Sequence, residues 1–256
     1  MNTDDSIERD FSPNSNRYDR PQLTFSSYSD VEWAIRPLSL QPHFRVLDVA
    51  AGTGQLSRAI APCVRQVVAL DCDRTKLDRG WKTARQKGIT NIAVQRGYAE
   101  NLPYADETFD LVMTGFALHH FERSDLAIAE MKRVCRKGGR VVVIDRIAPG
   151  NSHWATQYDR LEKLRDSSHI KLFKLYELKE LFRDAGLSMV RSESRDCPID
   201  FQSWIDFKST APELEYKLYV DLKQDIDRKR VTGMRPYWQD DRLFFLQIVA
   251  RAIGQK

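Results

Sequence analysis

The run Val46-Leu47-Asp48-Val49-Ala50-Ala51-Gly52-Thr53-Gly54-Gln55-Leu56 joins an apolar stretch ending in an acid to a turn of small residues and the start of a helix. Ala50, Gly52 and Gly54 remove side-chain bulk where the chain leaves the strand. A ligand can therefore approach the peptide units closely, and glycine also admits φ > 0 for a tight bend. Asp71 closes the next apolar run, Gln66-Val67-Val68-Ala69-Leu70, 23 residues after Asp48. An acid there can accept both ribose hydroxyls of an adenosine. His119 and His120 follow a later apolar run. A histidine that titrates near neutrality is the natural proton acceptor when a hydroxyl or an acidic carbon reacts.

The type of adenosine ligand is narrowed by two positions. A dinucleotide fingerprint wants a third glycine three residues after Gly54, so that the helix packs close and points its N-terminus at a pyrophosphate; position 57 is Ser. Asp48 stands four residues ahead of Gly52, where a carboxylate would repel a phosphate and attract a sulfonium or an amino group. The pair favours a cationic cofactor without phosphate.

At these residues the chain resembles the class I, Rossmann-like S-adenosylmethionine-dependent methyltransferases, over a stretch from about Arg45 to Pro149. Asp48 to Gly54 resembles their first motif, Asp71 their ribose acid, and Gly97-Tyr98-Ala99-Glu100-Asn101-Leu102-Pro103-Tyr104 their adenine-side loop. Thr108-Phe109-Asp110-Leu111-Val112 resembles the fourth strand, and Phe116-Ala117-Leu118-His119-His120-Phe121 the segment after it in small-molecule enzymes of the quinone-biosynthesis, type-11 branch. The resemblance implies S-adenosylmethionine as cofactor and S-adenosylhomocysteine as product. It places Asp48, Ala50, Gly52 and Gly54, then Asp71 and Cys72, then Ala99, Glu100 and Phe116 around the cofactor. Two positions depart from the family pattern. Tyr98 stands where an acid is usual, so the hydrogen bond to the adenine amino group is either absent or supplied by a neighbour such as Glu100, and Ala50 replaces the commonest glycine of the first motif.

The elements that must hold these residues alternate. Strands are predicted near 45–50, 67–71, 91–96, 109–115 and 140–146, with helices near 53–62 and 74–87 and a third from Leu126 to Lys137 stopped by Gly138-Gly139. A short helix over Val31–Leu40 precedes them. After Pro149 the pattern gives helices over Trp154–Arg165 and Leu175–Ala185, an extended segment Leu187–Cys197 and a final strand Leu243–Ile253. The expected fold is α/β: a Rossmann-like doubly wound seven-stranded sheet, mostly parallel with its last strand antiparallel, carrying helical cap insertions. We divide the chain into an N-terminal arm and helix (1–40), a cofactor-binding core (41–149) and the remainder of the same domain (150–256). Cap segments near 150–172 and 200–240 are expected over the carboxyl ends of the strands. Arg17-Tyr18-Asp19 and Tyr28 resemble the aromatic arms that close over the cofactor in this family.

With 256 residues, 42% of them apolar, the chain can build one sizeable core. Forty basic and 36 acidic residues leave a net charge of +4. The basic groups Arg133, Arg136, Lys137, Arg140 and Arg228-Lys229-Arg230 read as solvated helix faces, so nucleic acid is not an expected partner. Cys63, Cys72, Cys135 and Cys197 show no Cys-x-x-Cys spacing and are expected as free thiols, and no metal site is implied. No signal peptide or membrane span is read, and a soluble cytoplasmic protein, monomeric or homodimeric, is expected.

Methyl transfer from a sulfonium asks the protein chiefly to align the nucleophile and exclude water. His120, His119 and His169 are the candidate catalytic residues. One of the paired histidines is expected to face the cavity and the other the interior. His169, in Arg165-Asp166-Ser167-Ser168-His169, is expected to face the acceptor; a similar run occurs in an uncharacterised bacterial branch of the family. The leading expectation is methyl transfer to a small-molecule acceptor under the cap. Two alternatives are a methyltransferase of nucleic acid or protein and a non-catalytic cofactor-binding module. Against the nucleic-acid reading, Thr114-Gly115-Phe116-Ala117 lacks the Asn/Asp-Pro-Pro-aromatic motif of amino-group methylases, and there is no Pro-Cys dipeptide.

Overall fold

A computed structural model describes residues 28–208 and 210–256, apart from the side chains of residues 28–30 and 208. The acidic start of the chain and the Arg17-Tyr18-Asp19 segment lie outside the described residues. Helix α1 (Tyr28–Ile35) and one 3₁₀ turn lead into β1 (Arg45–Val49), α2 (Gln55–Ile60), β2 (Gln66–Asp71), α3 (Arg74–Gln86) and β3 (Ile92–Arg96). Next come β4 (Phe109–Gly115), α4 (Ser124–Val134), β5 (Cys135–Ile147), α5 (Ser152–Arg165), α6 (Leu175–Asp184) and β6 (Ser188–Asp200). The chain continues through α7 (Phe201–Lys208), α8 (Pro212–Ile226), β7 (Tyr237–Gln239) and β8 (Arg242–Gln255).

The sheet order is β3-β2-β1-β4-β5-β8-β6. Strands β1 to β5 pair in parallel, and β8 runs antiparallel to both of its neighbours. Parallel strands covered on both faces need nearly continuous apolar sequence, and Val46, Leu47, Val49, Leu111, Val112 and Met113 are all fully buried. One face of the sheet packs against α1, α2 and α3, the other against α4 and α6. Local chemistry sets the helix starts. Asp73 caps α3 by accepting from the Thr75 and Lys76 amides, and Asn151 caps α5 through the Trp154 amide.

Two expectations are corrected. The sheet has eight strands because Tyr237–Gln239 forms a hairpin with β8. Asp240 and Asp241 both take left-handed φ, +47° and +58°, the signature of a two-residue type I′ turn. Phe244 pairs with Asp200 on one side and Tyr237 on the other, so β7 occupies the edge of β8 that β5 uses farther along. Second, the helix expected to run to Lys137 ends at Val134, and Cys135 already pairs with Phe109 in the sheet. Lys256 accounts for the early stop. Its ammonium donates to the carbonyls of Arg133 and Cys135, while its backbone exchanges hydrogen bonds with Gly138 and Gly139.

A third apolar cluster joins α5, α7 and α8 through Tyr158, Leu161, Trp204, Leu218, Leu222 and Phe245. It lies beyond the end of β5 and is tied to the core by charge. Arg146 on β5 reaches Glu162 on α5 at 2.9 Å, and Arg165 reaches the same carboxylate oxygen at 2.8 Å. The Arg165 guanidinium also lies over the Trp204 ring, 4.8 Å from its centroid. Glu162 is wholly buried. Burial pushes its carboxyl up, but the Arg146 and Arg165 guanidiniums outweigh this and bring it down to about 2.

Glu162→Gln removes the carboxylate that two buried guanidiniums share, leaving Arg146 with Asp145 alone, and is expected to cost about 3–5 kcal/mol at pH 7, read as a lower urea midpoint. Because the folded-state pKa of Glu162 is depressed, its contribution is present above the unfolded carboxyl value of 4.5 and disappears as pH falls toward about 2. The gap between wild type and variant should therefore close in acid; a midpoint unchanged at pH 7 contradicts the assignment.

Candidate active site

Where β1 ends, the chain turns through three left-handed residues, Ala50 (φ +56°), Gly52 (+57°) and Gly54 (+74°). The turn is closed by the Ala51 amide on the Leu70 carbonyl (2.9 Å) and the Gly54 amide on the Ala51 carbonyl (2.8 Å). A Cβ at Gly52 would meet nothing within 4 Å, so open space faces this peptide. Ala50 adopts the same half of conformational space with a side chain, at a cost of about 1–2 kcal/mol.

Asp71 bridges this turn to the next. Its Oδ2 accepts the Gly52 amide at 2.7 Å and its Oδ1 accepts the Asp73 amide at 2.9 Å. One amide on each oxygen leaves each with acceptor capacity for a ligand hydroxyl. Cys72 beside it is exposed. Asp48 has a different place from the one its charge suggested. It lies buried beneath the turn, where its Oδ2 accepts the Ser57 hydroxyl at 2.6 Å. Burial pushes its carboxyl up to about 7 against the lowering effect of the Ser57 hydrogen bonds. Such a group is suited to bracing the turn rather than to presenting a charge to a ligand, and Ser57 is its partner.

On the far side of the crevice Ala99 is buried, Glu100 half-buried and Tyr98 exposed. The loop is fixed by α4: Glu130 accepts the Leu102 amide, and Arg133 donates to the carbonyls of Leu102 and Tyr104. Arg133, expected on a solvated face, is thus a structural brace that also pairs with Glu130 and Asp106. Gly80, in the middle of α3, was not singled out from the sequence. A Cβ there would sit 2.3 Å from the Thr53 carbonyl oxygen, so this glycine is what lets α3 lie against the turn. A lone glycine inside a helical pattern was the available signal.

The paired histidines part company. They lie in a 3₁₀ turn, Leu118–His120, where successive side chains point about 120° apart. His119 is buried; its Nδ1 lies 2.7 Å from Asp145 Oδ1 and its Nε2 contacts the Arg146 guanidinium. Burial, then the Arg146 charge, holds its pKa well below the usual histidine value. Neutral His119 therefore donates from Nδ1 to Asp145 and accepts at Nε2 from Arg146, with both ring nitrogens engaged. His120 is half-buried, and its Nδ1 lies 2.9 Å from the Ser168 carbonyl. Phe116 opens the turn at φ +53°, a strained value for a bulky residue. His169, expected to face the acceptor, is buried, with Nε2 2.7 Å from Asp159 Oδ1.

The open space at Gly52 and the acceptor capacity of Asp71 fit an adenosyl group without phosphates. Among the described residues, no helix is long and apolar enough to cross a membrane.

The chain matches known proteins in sequence and in fold. A family model described as a methyltransferase domain matches residues 47–143. The chain is 30% identical over 225 residues to the uncharacterized methyltransferase YcgJ of Bacillus subtilis, covering 88% of each protein. It is 34% identical over 137 residues to the ubiquinone/menaquinone biosynthesis C-methyltransferase UbiE of Burkholderia multivorans, covering 51% of this chain and 56% of that protein. The crystal structure of the Bacillus YcgJ protein superposes with a TM-score of 0.81, at 26% identity, over 90% of this chain and 99% of that one.

Gly80→Ala should push α3 away from Thr53 and weaken S-adenosylhomocysteine binding at least about tenfold, or 1.4 kcal/mol, in calorimetry. Gly150→Ala, which meets nothing within 4 Å, serves as the control. Equal affinity for Gly80→Ala and wild type would show that the helix does not set the turn.

Proposed function

The chain belongs to the class I, type-11 S-adenosylmethionine-dependent methyltransferases, and from that premise we propose that it transfers a methyl group to a small organic acceptor enclosed beneath the helical cap. The observation that carries the cofactor half of this reading is the Gly52–Asp71 pair. An amide-anchored carboxylate faces a turn whose peptides are stripped of side chains. Asp71 would hold the ribose hydroxyls, and the peptides of Gly52 and Gly54 would lie along the ligand. Ala99 and Glu100 would line its adenine side beside Cys72, with Phe116 toward its methionine end. When bound, the cofactor supplies a methyl group already activated by a sulfonium. The residues of the chain then have to orient the nucleophile and keep water out, and proximity of this kind is worth about 7–11 kcal/mol in well-oriented cases.

His120 is the proton acceptor in this reading. It stands at the end of β4, in the turn that Phe116 opens, and it is less buried than His119 or His169. An acceptor bearing an O–H, N–H or acidic C–H would lose that proton to the ring as the methyl group arrives. The acceptor half rests on the cap. Its apolar cluster is tied to the core through the buried Arg146–Glu162–Arg165 group, which suits a small enclosed molecule better than a polymer. The UbiE relatives, C-methyltransferases of quinone biosynthesis by name, support the same class, although their alignment spans only about half of the chain. A macromolecular acceptor is the second reading.

Pure protein should bind S-adenosylhomocysteine in calorimetry, and Asp71→Ala should weaken it at least about tenfold by removing charged hydrogen-bond acceptors. With a methyl-labelled cofactor and a cell extract, label should enter the low-mass fraction. No binding would overturn the cofactor assignment, and label confined to protein or nucleic acid would overturn the small acceptor.

A further inference from the structure

The segment Arg165-Asp166-Ser167-Ser168-His169 was marked out by the sequence because of its histidine, yet it is the residues before that histidine that meet His120. We propose that Asp166 and Ser168, both on the cap, are positioning residues that hold His120 in one orientation and one tautomer, with the proton on Nδ1 and the lone pair on Nε2. The proposal deepens, and rests on, the reading of His120 as proton acceptor.

Hydrogen-bond direction carries the argument. Nδ1 of His120 lies 2.9 Å from the Ser168 backbone oxygen and 3.3 Å from its hydroxyl oxygen. A carbonyl can only accept, so Nδ1 must carry the hydrogen. The Ser168 hydroxyl has one proton, and at 2.6 Å it is given to Asp166 Oδ1. Toward the ring the hydroxyl therefore offers a lone pair, which agrees with the carbonyl. The opposite tautomer would set the Nδ1 lone pair against both oxygens. A neutral ring with hydrogen on Nδ1 keeps its lone pair on Nε2, the atom then able to take a proton.

The two residues are themselves held in place. Asp166 is buried, and its amide donates to the Glu162 carbonyl at 2.8 Å, closing the end of α5. Its Oδ1 also accepts the Ser168 amide at 3.1 Å. Beyond Ser168, the amides of Ile170 and Lys171 both donate to the His119 carbonyl, at 2.9 and 3.3 Å. Ser168 is thus fastened on one side to the cap helix and on the other to the backbone of the histidine turn. A cap that shifted away from the core would carry the Ser168 oxygens off Nδ1. The arrangement thereby links closure over the acceptor to the protonation geometry of His120. Among the described residues, the titratable groups that face the ring include His119, whose ring centroid is 4.1 Å away, and Asp145.

Nitrogen-15 spectroscopy of the full chain, labelled at the histidine rings, reads the tautomer without any acceptor. It is recorded above the pH at which the His120 ring titrates, and the signal is assigned by its loss in His120→Gln. Wild-type protein should show His120 with Nδ1–H in more than about nine molecules in ten, the ratio expected when a hydrogen bond of ordinary net strength selects one form. Asp166→Ala, which removes the acceptor that orders Ser168, should raise the Nε2–H share several-fold. Asp166→Asn keeps an acceptor oxygen and should restore the wild-type ratio. Should Asp166→Ala fail to fold, Ser168→Ala, which loses the hydroxyl but keeps the carbonyl, should give a smaller rise. A wild-type ring with Nε2–H predominant, or an unchanged ratio in a folded Asp166→Ala or Ser168→Ala protein, would overturn the positioning role. Failure of the underlying reading looks different: His120→Ala would transfer methyl label at the wild-type rate while the tautomer result stood.

Discussion

The buried Arg146 guanidinium is the point on which the geometry of the site turns. A charge of this kind cannot be left without partners in a low-dielectric interior, since the desolvation penalty is several kcal/mol after relaxation. Arg146 meets that requirement with groups from two separate stretches of chain: the His119 ring after β4 and Glu162 on α5. Its own strand supplies Asp145, which holds the other side of the same ring. Core strand, histidine turn and cap helix are therefore fixed relative to one another by a single set of charges. Arg165 extends the set to Trp204 and so into the apolar centre of the cap.

That constraint explains why neighbouring histidines have different chemistry. His119 is drawn inward by Asp145 and Arg146 and kept neutral. His120, one position on in a 3₁₀ turn, is half-buried and meets Ser168. On the proposed function, the proton acceptor and a structural brace are thus neighbours in the chain. The same division appears at the other end of the site. Asp48 braces the turn from beneath with Ser57, while Asp71 is anchored by two amides with acceptor capacity left over.

The sequence carried the parts of the fold that depend on neighbours in the chain. The apolar runs at 46–49, 67–70 and 109–115, and the glycines after the first of them, gave the parallel core and its crevice because strand burial and turn conformation are local properties. What stayed hidden depends on distant partners. The end of α4 at Val134 is set by Lys256, more than a hundred residues away. The role of Arg133 comes from carbonyls in the adenine-side loop, and the small strand β7 falls in the expected 200–240 cap segment because its hairpin turn is Asp-Asp rather than a glycine pair. The Arg165–His169 run stands out in the sequence for its histidine. Its meeting with His120 joins residues 48 positions apart, and no local pattern reports that. Ser57 was read as a missing glycine, and only the fold shows it as the partner of Asp48.

On the proposed function, an adenosyl cofactor lies on the turn after β1 and presents its sulfur beneath the cap, toward His120. A crystal structure of the protein with S-adenosylhomocysteine tests this most directly. The ribose hydroxyls are expected on Asp71, the ligand passing over Gly52, and the sulfur facing an enclosed space bounded by Phe116, His120 and the cap. A ligand bound elsewhere, or one on the turn with its sulfur directed away from His120 into open solvent, would contradict it.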